Sequence, residues 1–419
     1  MLNCPSNLNL EDFDYDLPEE KIAIFPNEIR ENSKLLVFDG NQNKISHNFF
    51  TDICNFLPEN SLIVINSTKV IPARFLLKKE TGGMIELLCI EPILPSPNPQ
   101  ISIFTQSPTT WECIVGGRKV YEGMELFPIS NEISFKAKIL KRYENKAIVE
   151  FSWKPQNIFF NEILNNLGKI PLPPYLKREV GETDNLRYQT IYANNAGSVA
   201  APTAGLHFSE NILNEFNKKN IELAKIILHI GPGTFVPIES EIAEHQMHSE
   251  QIFVTKETIE KLTANYSNPK NFTVATGTTS LRTLETLYWI GIKILLKDIH
   301  SNDFQTLNGF HLEQNYSYQK GLAVENLTIE VKDVFSAILD KMNELQLEVL
   351  QGRTQLFIVP SYQIRTVNAL ITNFHLPKST LLLLVSAFVG TDNCKAIYKS
   401  ALQNDYKFLS YGDSSLLIR

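Results

Sequence analysis

The sequence predicts an α/β fold, a discontinuous α/β domain with a small antiparallel β-barrel inserted into it. Three observations carry that expectation. Short apolar runs of strand type alternate with amphipathic helical segments at both ends of the chain. From about residue 70 to 154 the texture changes to short alternating segments, several of them separated by Gly-Gly or Pro-rich turns. After Trp153 the helix–strand alternation resumes. The expected division is therefore 1–69 and 155–419 for the α/β domain and 70–154 for the barrel.

Taken in order, "NSLIVIN" (60–66) is an apolar run suited to a buried strand. The barrel candidates are "RFLLKKE", "GMIELLCIE", "ISIFTQ", "TWECIVG", "ISFKAKIL" and "KAIVEFSW". "SENILNEFNKKN" (209–220) offers Ser209 as an N-cap and puts Ile212, Leu213 and Phe216 on one helical face. "LAKIILHI" (223–230) reads as a strand. "FTVAT", "GTTS" and "LRTLETLYW" (272–289) read as strand, turn and helix. "KDVFSAILDKMNELQ" (332–346) is a helix by the spacing of Val334, Phe335, Ile338, Leu339 and Met342. "LFIVP", "ALITNF" and the buried run "LLLLVSAFVG" (381–390) continue the α/β pattern.

With 43% hydrophobic and 20% charged residues, the 419-residue chain has a globular composition and length enough for two domains. A net charge of −7 excludes a protein that simply coats nucleic acid. Local basic stretches remain, at 116–119, 135–143 and 176–178; ordinary solvated faces have the same composition. The N-terminus carries acids where a secretory signal would be basic and then apolar. No run is long enough to span a membrane. Five scattered cysteines without a Cys-x-x-Cys pair argue for a reducing compartment and against a zinc knuckle. A cytoplasmic location is expected.

Candidate chemistry gathers at strand ends. In "GSVAAPTAGLHFS" (197–209), no side chain from Gly197 to Gly205 exceeds valine in size or carries charge. Either backbones pack tightly there, or a ligand lies on the main chain. "TGTTSLR" (276–282) places glycine and three hydroxyl residues between a strand and a helix, an arrangement that holds an anion or simply starts a helix. It is not a Walker loop, because the Gly-Lys-Ser/Thr ending is absent. "LHIGPGTF" (228–235) runs from a strand into a glycine-rich turn. "TNFHLPKSTL" (372–381) ends another strand on His375. In open α/β sheets ligands bind beyond the carboxyl ends of strands, where these three stretches fall. "HQMHSE" (245–250) spaces His245 and His248 three apart, which on a helix would suit a metal. The zinc-protease pattern is missing there and no third ligand is evident.

Ten stretches, in order from end to end, resemble the S-adenosylmethionine:tRNA ribosyltransferase-isomerases of queuosine biosynthesis. They are "DFDYDLPEEKIA" (12–23), "INSTKVIPARF" (65–75), "IPLPPYLKR" (170–178), "RYQTIYA" (187–193), "GSVAAPTAGLHF" (197–208), "LHIGPGTF", "HQMHSE", "GTTSLRTLE" (277–285), "ALITNFHLPKSTLLLLVSAF" (369–388) and "YKFLSYGD" (406–413). The resemblance implies transfer and isomerisation of the ribosyl group of S-adenosylmethionine onto 7-aminomethyl-7-deazaguanine at the tRNA wobble position. Epoxyqueuosine forms, and adenine and methionine leave. S-adenosylmethionine is then a consumed cosubstrate, and no prosthetic group or metal is expected. The partners implied are that cosubstrate and tRNA bearing the deazaguanine precursor. A monomer without membrane association is expected. On this reading Gly197, Ser198, Ala200, Ala201, Thr203 and Gly205 floor the nucleoside, together with Gly231 and Gly233. Gly277, Thr278, Thr279 and Ser280 hold the methionine carboxylate, and His207, His229 and His375 are the catalytic candidates. Two other classes fit parts of the sequence: an idle tRNA-binding relative, and a metal-dependent hydrolase built on His245 and His248.

Overall fold

A computed structural model describes residues 8–129, 133–235, 237, 238, 241–325 and 327–419. The chain divides into two compact units. One comprises Met1–Ser67, Arg187–Ala193 and Pro202–Arg419, the other Thr68–Leu186 and Asn194–Ala201.

The second unit is built on a closed antiparallel barrel. Its six strands follow the ring order Arg74–Lys79, Met84–Leu94, Thr109–Gly116, Lys146–Lys154, Ser134–Tyr143 and Glu125–Pro128. The last strand returns to the first, with Leu77 opposite Pro128 and Lys79 opposite Leu126. Strict alternation explains the closure. Phe135, Ala137 and Ile139, and opposite them Trp153, Phe151 and Val149, all point into the core. Phe75 stacks on Phe135 at 5.5 Å, and Phe151 on Phe160 at 5.4 Å. Each such buried ring contributes about 1.5–3 kcal/mol relative to exposure. On the outer face Lys136 pairs with Glu125 at 2.9 Å, so this lysine of the basic stretch 135–143 sits on an ion-paired, solvated face.

"ISIFTQ", expected as a strand, is not one. The chain makes a short helix, Pro99–Ser102, instead. Asn98 caps it by accepting from the Gln100 N–H, Pro99 sits at its first position, and the Ser102 hydroxyl donates to the Ser96 carbonyl at 2.6 Å. Local turn chemistry outweighs the apolar alternation there.

The first unit contains a ten-stranded mixed sheet. Its order is Phe310–Leu312, Val349–Thr354, Glu250–Thr255, Glu222–Leu228, Leu62–Asn66, Thr273–Thr276, Ala369–Asn373, Ser414–Ile418, Lys34–Asp39 and Lys44–Phe49. The four central strands, from Glu222–Leu228 to Ala369–Asn373, run parallel. The Leu62–Asn66 and Ala369–Asn373 strands are buried at every position, as a parallel sheet covered on both faces requires. The Asn66 side chain bonds both backbone groups of Leu228, at 2.9 and 3.1 Å, and so extends this pairing to the residue before His229. Helix Glu210–Lys218 is capped by Ser209 and helix Thr380–Val389 by Ser379. The stretch "LFIVP", expected to continue the α/β pattern, is irregular chain. The neighbouring strand stops at Thr354, and the Tyr318 hydroxyl bonds both the Phe357 carbonyl and the Val359 N–H. Its apolar residues are buried without joining a ladder.

Among the described residues no single helix is long and apolar enough to cross a membrane. The cysteines at 54, 89, 113 and 394 are free.

Candidate functional site

A narrow cleft lies where the parallel strands of the larger unit end. With its open mouth counted, it spans about 610 Å³. Gly231, Gly233, His248, Thr278, Thr279 and Arg282 are among its walls, joined by His245, Glu250 and the apolar run Leu356–Ile358.

The floor begins at Gly277, where strand Thr273–Thr276 turns into the 18-residue helix Thr278–Leu295. Gly277 has φ +86°, a conformation that disfavours any side chain, and its N–H donates to the Ile371 carbonyl at 2.7 Å. No side chain caps this helix, so its first turn keeps unused N–H donors and the positive end of the dipole. Three hydroxyls lie in the same turn. Thr276 Oγ1, Thr279 Oγ1 and Ser280 Oγ are shut off from solvent and have no hydrogen-bond partner among the described residues. Buried hydroxyls are ordinarily hydrogen-bonded, so these three stand out in the fold.

Arg282 lies one helical turn beyond Thr278. Its guanidinium meets Glu250 at 2.8 Å and donates to the carbonyls of His248 and Thr354 at 3.3 and 3.2 Å. Glu250 in turn accepts from the Gly231 N–H at 3.4 Å. This pair therefore ties the glycine turn after one strand to the helix after another. Gly233 is required by close approach: a Cβ there would stand 2.1 Å from the His248 ring. The 245–248 loop is held by two amides. Gln314 bonds the His245 carbonyl and the Met247 N–H, and Gln355 donates to the Met247 carbonyl. His245 packs on Phe357 at 5.5 Å, and burial, then the neighbouring His248, lowers its pKa.

His245 and His248 are not on a helix, where that spacing would suit a metal. They lie in irregular chain before strand Glu250–Thr255. Among the described residues no group of three or more His, Cys, Asp or Glu side chains is arranged to hold a metal ion.

The expected site residues distribute unevenly. Gly231, Gly233, Thr278 and Thr279 line the cleft, and Gly277 and Ser280 adjoin it in the same turn. The run 197–205 is split between the units. Gly197 and Ser198 lie on strand Asn195–Ser198, which pairs with Thr68–Val70, and the Ser198 hydroxyl donates to the Ala200 carbonyl at 2.7 Å. Ala200 and Ala201 are buried beside them in sequence. Thr203 and Gly205 belong to a 3-10 turn, Thr203–His207, in the larger unit. Gly205 seats the Tyr192 hydroxyl, 2.1 Å from where a Cβ would stand. At this position the small side chain serves side-chain packing.

The three expected catalytic histidines are all buried, and burial lowers their pKa values to about 4 for His207 and His229 and about 3 for His375. His229 follows strand Glu222–Leu228, its ring edge-on to Phe253 at 5.6 Å. His375 Nε2 bonds Thr372 Oγ1 at 2.9 Å. Its backbone is pinned by Tyr15, which donates to its carbonyl, and by Tyr398, which accepts from its N–H. None of the three is a wall of the cleft, and His207 lines a separate small cavity with Arg30 and Arg187. Its Nε2 meets Asn373 Oδ1 at 3.0 Å and its Nδ1 meets the Ser33 hydroxyl at 2.8 Å. The Asn373 amide donates to the Leu409 and Ser410 carbonyls, so its oxygen accepts from Nε2–H, and Nδ1 accepts from Ser33.

Sequence reasoning did not single out Arg282. The one available signal was helical spacing: Arg282 follows Thr278 by four residues and so shares its face.

Over residues 10–417 the chain matches the family model described as "Queuosine biosynthesis protein". It belongs to this family. Similar relatives carry the name S-adenosylmethionine:tRNA ribosyltransferase-isomerase. One from Thermosipho melanesiensis is 38% identical over 412 residues, covering 98% of this chain and 100% of the relative. One from Nitrosospira multiformis is 36% identical over 413 residues, covering 98% and 99%. A crystal structure of S-adenosylmethionine tRNA ribosyltransferase from Thermotoga maritima aligns with 97% of this chain and 100% of that chain, at 29% identity and a TM-score of 0.46.

Proposed function

We infer that this chain is an S-adenosylmethionine:tRNA ribosyltransferase-isomerase. It moves the ribosyl group of S-adenosylmethionine onto the aminomethyl group of 7-aminomethyl-7-deazaguanine at the tRNA wobble position, giving epoxyqueuosine with release of adenine and methionine. Family membership carries the reaction class. One structural observation supports the location of the cosubstrate: an uncapped helix start with three unused buried hydroxyls, at the carboxyl end of parallel strands.

The chemistry divides among residues as follows. The sulfonium acidifies the ribose methylene attached to it, and a base removes a proton there. The sugar ring opens and adenine departs. The amine of the modified base adds to the vinyl sulfonium so formed, and the regenerated ylide carbon bonds to the aldehyde carbon that adenine left. The resulting alkoxide displaces methionine to close the epoxide. The first-turn N–H groups of Thr278, Thr279 and Ser280, with their hydroxyls, hold the methionine carboxylate. Arg282 and Glu250 keep the glycine turn 231–233 in register with that helix. We assign the base to His245, which lines the cleft and whose pKa is lowered by burial and then by the neighbouring His248. His207, both of whose nitrogens are engaged, is assigned a positioning role.

The test is incubation with S-adenosylmethionine and tRNA carrying the deazaguanine precursor. Adenine and ribosylated tRNA should form in equal amounts. Methyl transfer to the tRNA, or intact S-adenosylmethionine after long incubation, overturns the reading.

A further inference from the structure

The small cavity beside His207 has a chemistry of its own. Arg30 and Arg187 both line it, and among the described residues no acidic side chain does. Arg187 donates to the backbone carbonyls of Glu28 and Asn27, while its Nε is buried and has no partner among the described residues. Arg30 donates to the Leu206 carbonyl at 3.0 Å. Burial first, and the charge of Arg187 second, hold the Arg30 guanidinium below its ordinary pKa. Two guanidiniums sharing a recess repel each other, and an anion placed between them relieves that cost.

The chain that enters this recess is unusual on its outer side. Ile24, Phe25 and Ile29 are 45%, 66% and 53% exposed. Phe25 directly precedes Pro26, itself a wall of the cavity. An exposed aromatic next to phosphate-binding arginines is how proteins hold single-stranded nucleic acid: the guanidinium takes the backbone and the ring takes an unstacked base. A free phosphate would suit the arginines equally and would have no use for the apolar surface.

We propose that Arg30 and Arg187 bind a phosphodiester of the RNA substrate and that Phe25 stacks on the unpaired base beside it. The proposal rests on tRNA being the substrate and adds a contact point separate from the cleft. The experiment measures tRNA affinity from 50 to 200 mM salt for the full chain, for Phe25→Ala and for Arg187→Gln, with adenine release and melting temperature in parallel. Phe25→Ala, at an exposed position, should keep the wild-type melting temperature and bind tRNA about tenfold more weakly. Arg187→Gln should lower the salt slope by about one. Affinity for S-adenosylmethionine should be unchanged in both. Wild-type tRNA affinity in Phe25→Ala with an unchanged slope in Arg187→Gln overturns the proposal. So does millimolar inorganic phosphate that occupies the site without displacing tRNA. If adenine release fails in the full chain while both variants still weaken RNA binding, the functional reading falls and this contact stands. If the full chain releases adenine and both variants bind tRNA as the wild type does, the functional reading stands and this contact falls.

Discussion

Glu250 and Arg282 lie 2.8 Å apart with side chains only 6% and 12% exposed, and they join two different strand-end turns beneath the cleft. Breaking one partner of such a buried pair leaves the other charge unpaired, at a cost of about 3–5 kcal/mol. Arg282→Met should therefore lower the urea midpoint strongly and raise KM for S-adenosylmethionine. A stability loss under about 1 kcal/mol would contradict this structural role.

Ser280 separates binding from stability. Its buried hydroxyl has no partner among the described residues, and such a group costs about 1–3 kcal/mol in the free protein. Ser280→Ala should raise the melting temperature of the free enzyme and weaken S-adenosylmethionine binding. A variant that loses stability would show that the hydroxyl is satisfied within the fold.

The glycines of the site should also part company. A Cβ on Gly231 would meet nothing within 4 Å, whereas one on Gly205 would stand 2.1 Å from the Tyr192 hydroxyl. Gly205→Ala should cost about 1–3 kcal/mol by overpacking. Gly231→Ala should unfold at the wild-type denaturant concentration. Equal midpoints for the two variants would refute the packing account.

Burial holds His207 at a pKa of about 4, against 6.5 in the unfolded chain. Between those values the unfolded state binds the extra proton. The stability associated with the neutral ring is thus complete above pH 6.5 and is lost as pH falls toward 4. Replacing it by glutamine should flatten the dependence of unfolding free energy on pH in this window by up to about 1.4 kcal/mol per pH unit. A slope equal to the wild type's would mean that the imidazole titrates normally.

The sequence made the barrel legible because its strands face water on one side. Alternation in 134–143 and 146–154 needs no knowledge of partners. The strand ends of the larger unit were legible through Gly277 and the hydroxyls behind it. What was not legible depends on contacts distant in sequence. "LFIVP" is apolar because it is buried around the cleft, not because it joins a sheet. His207 looks catalytic in isolation, and only Ser33 and Asn373, 174 and 166 residues away, show that both its nitrogens are engaged. The role of Arg282 depends on Glu250, on another strand.

Titration of Thr279→Val with both ligands tests the central claim, that the 277–280 turn holds the methionine carboxylate. Hydrogen bonds to a charged group contribute about 1.5–3 kcal/mol. S-adenosylmethionine should therefore bind roughly tenfold to a hundredfold more weakly, while tRNA affinity and its salt dependence stay at the wild-type values. Weakened tRNA binding with a shallower salt slope, at unchanged affinity for S-adenosylmethionine, would make the turn a phosphate site and contradict the account.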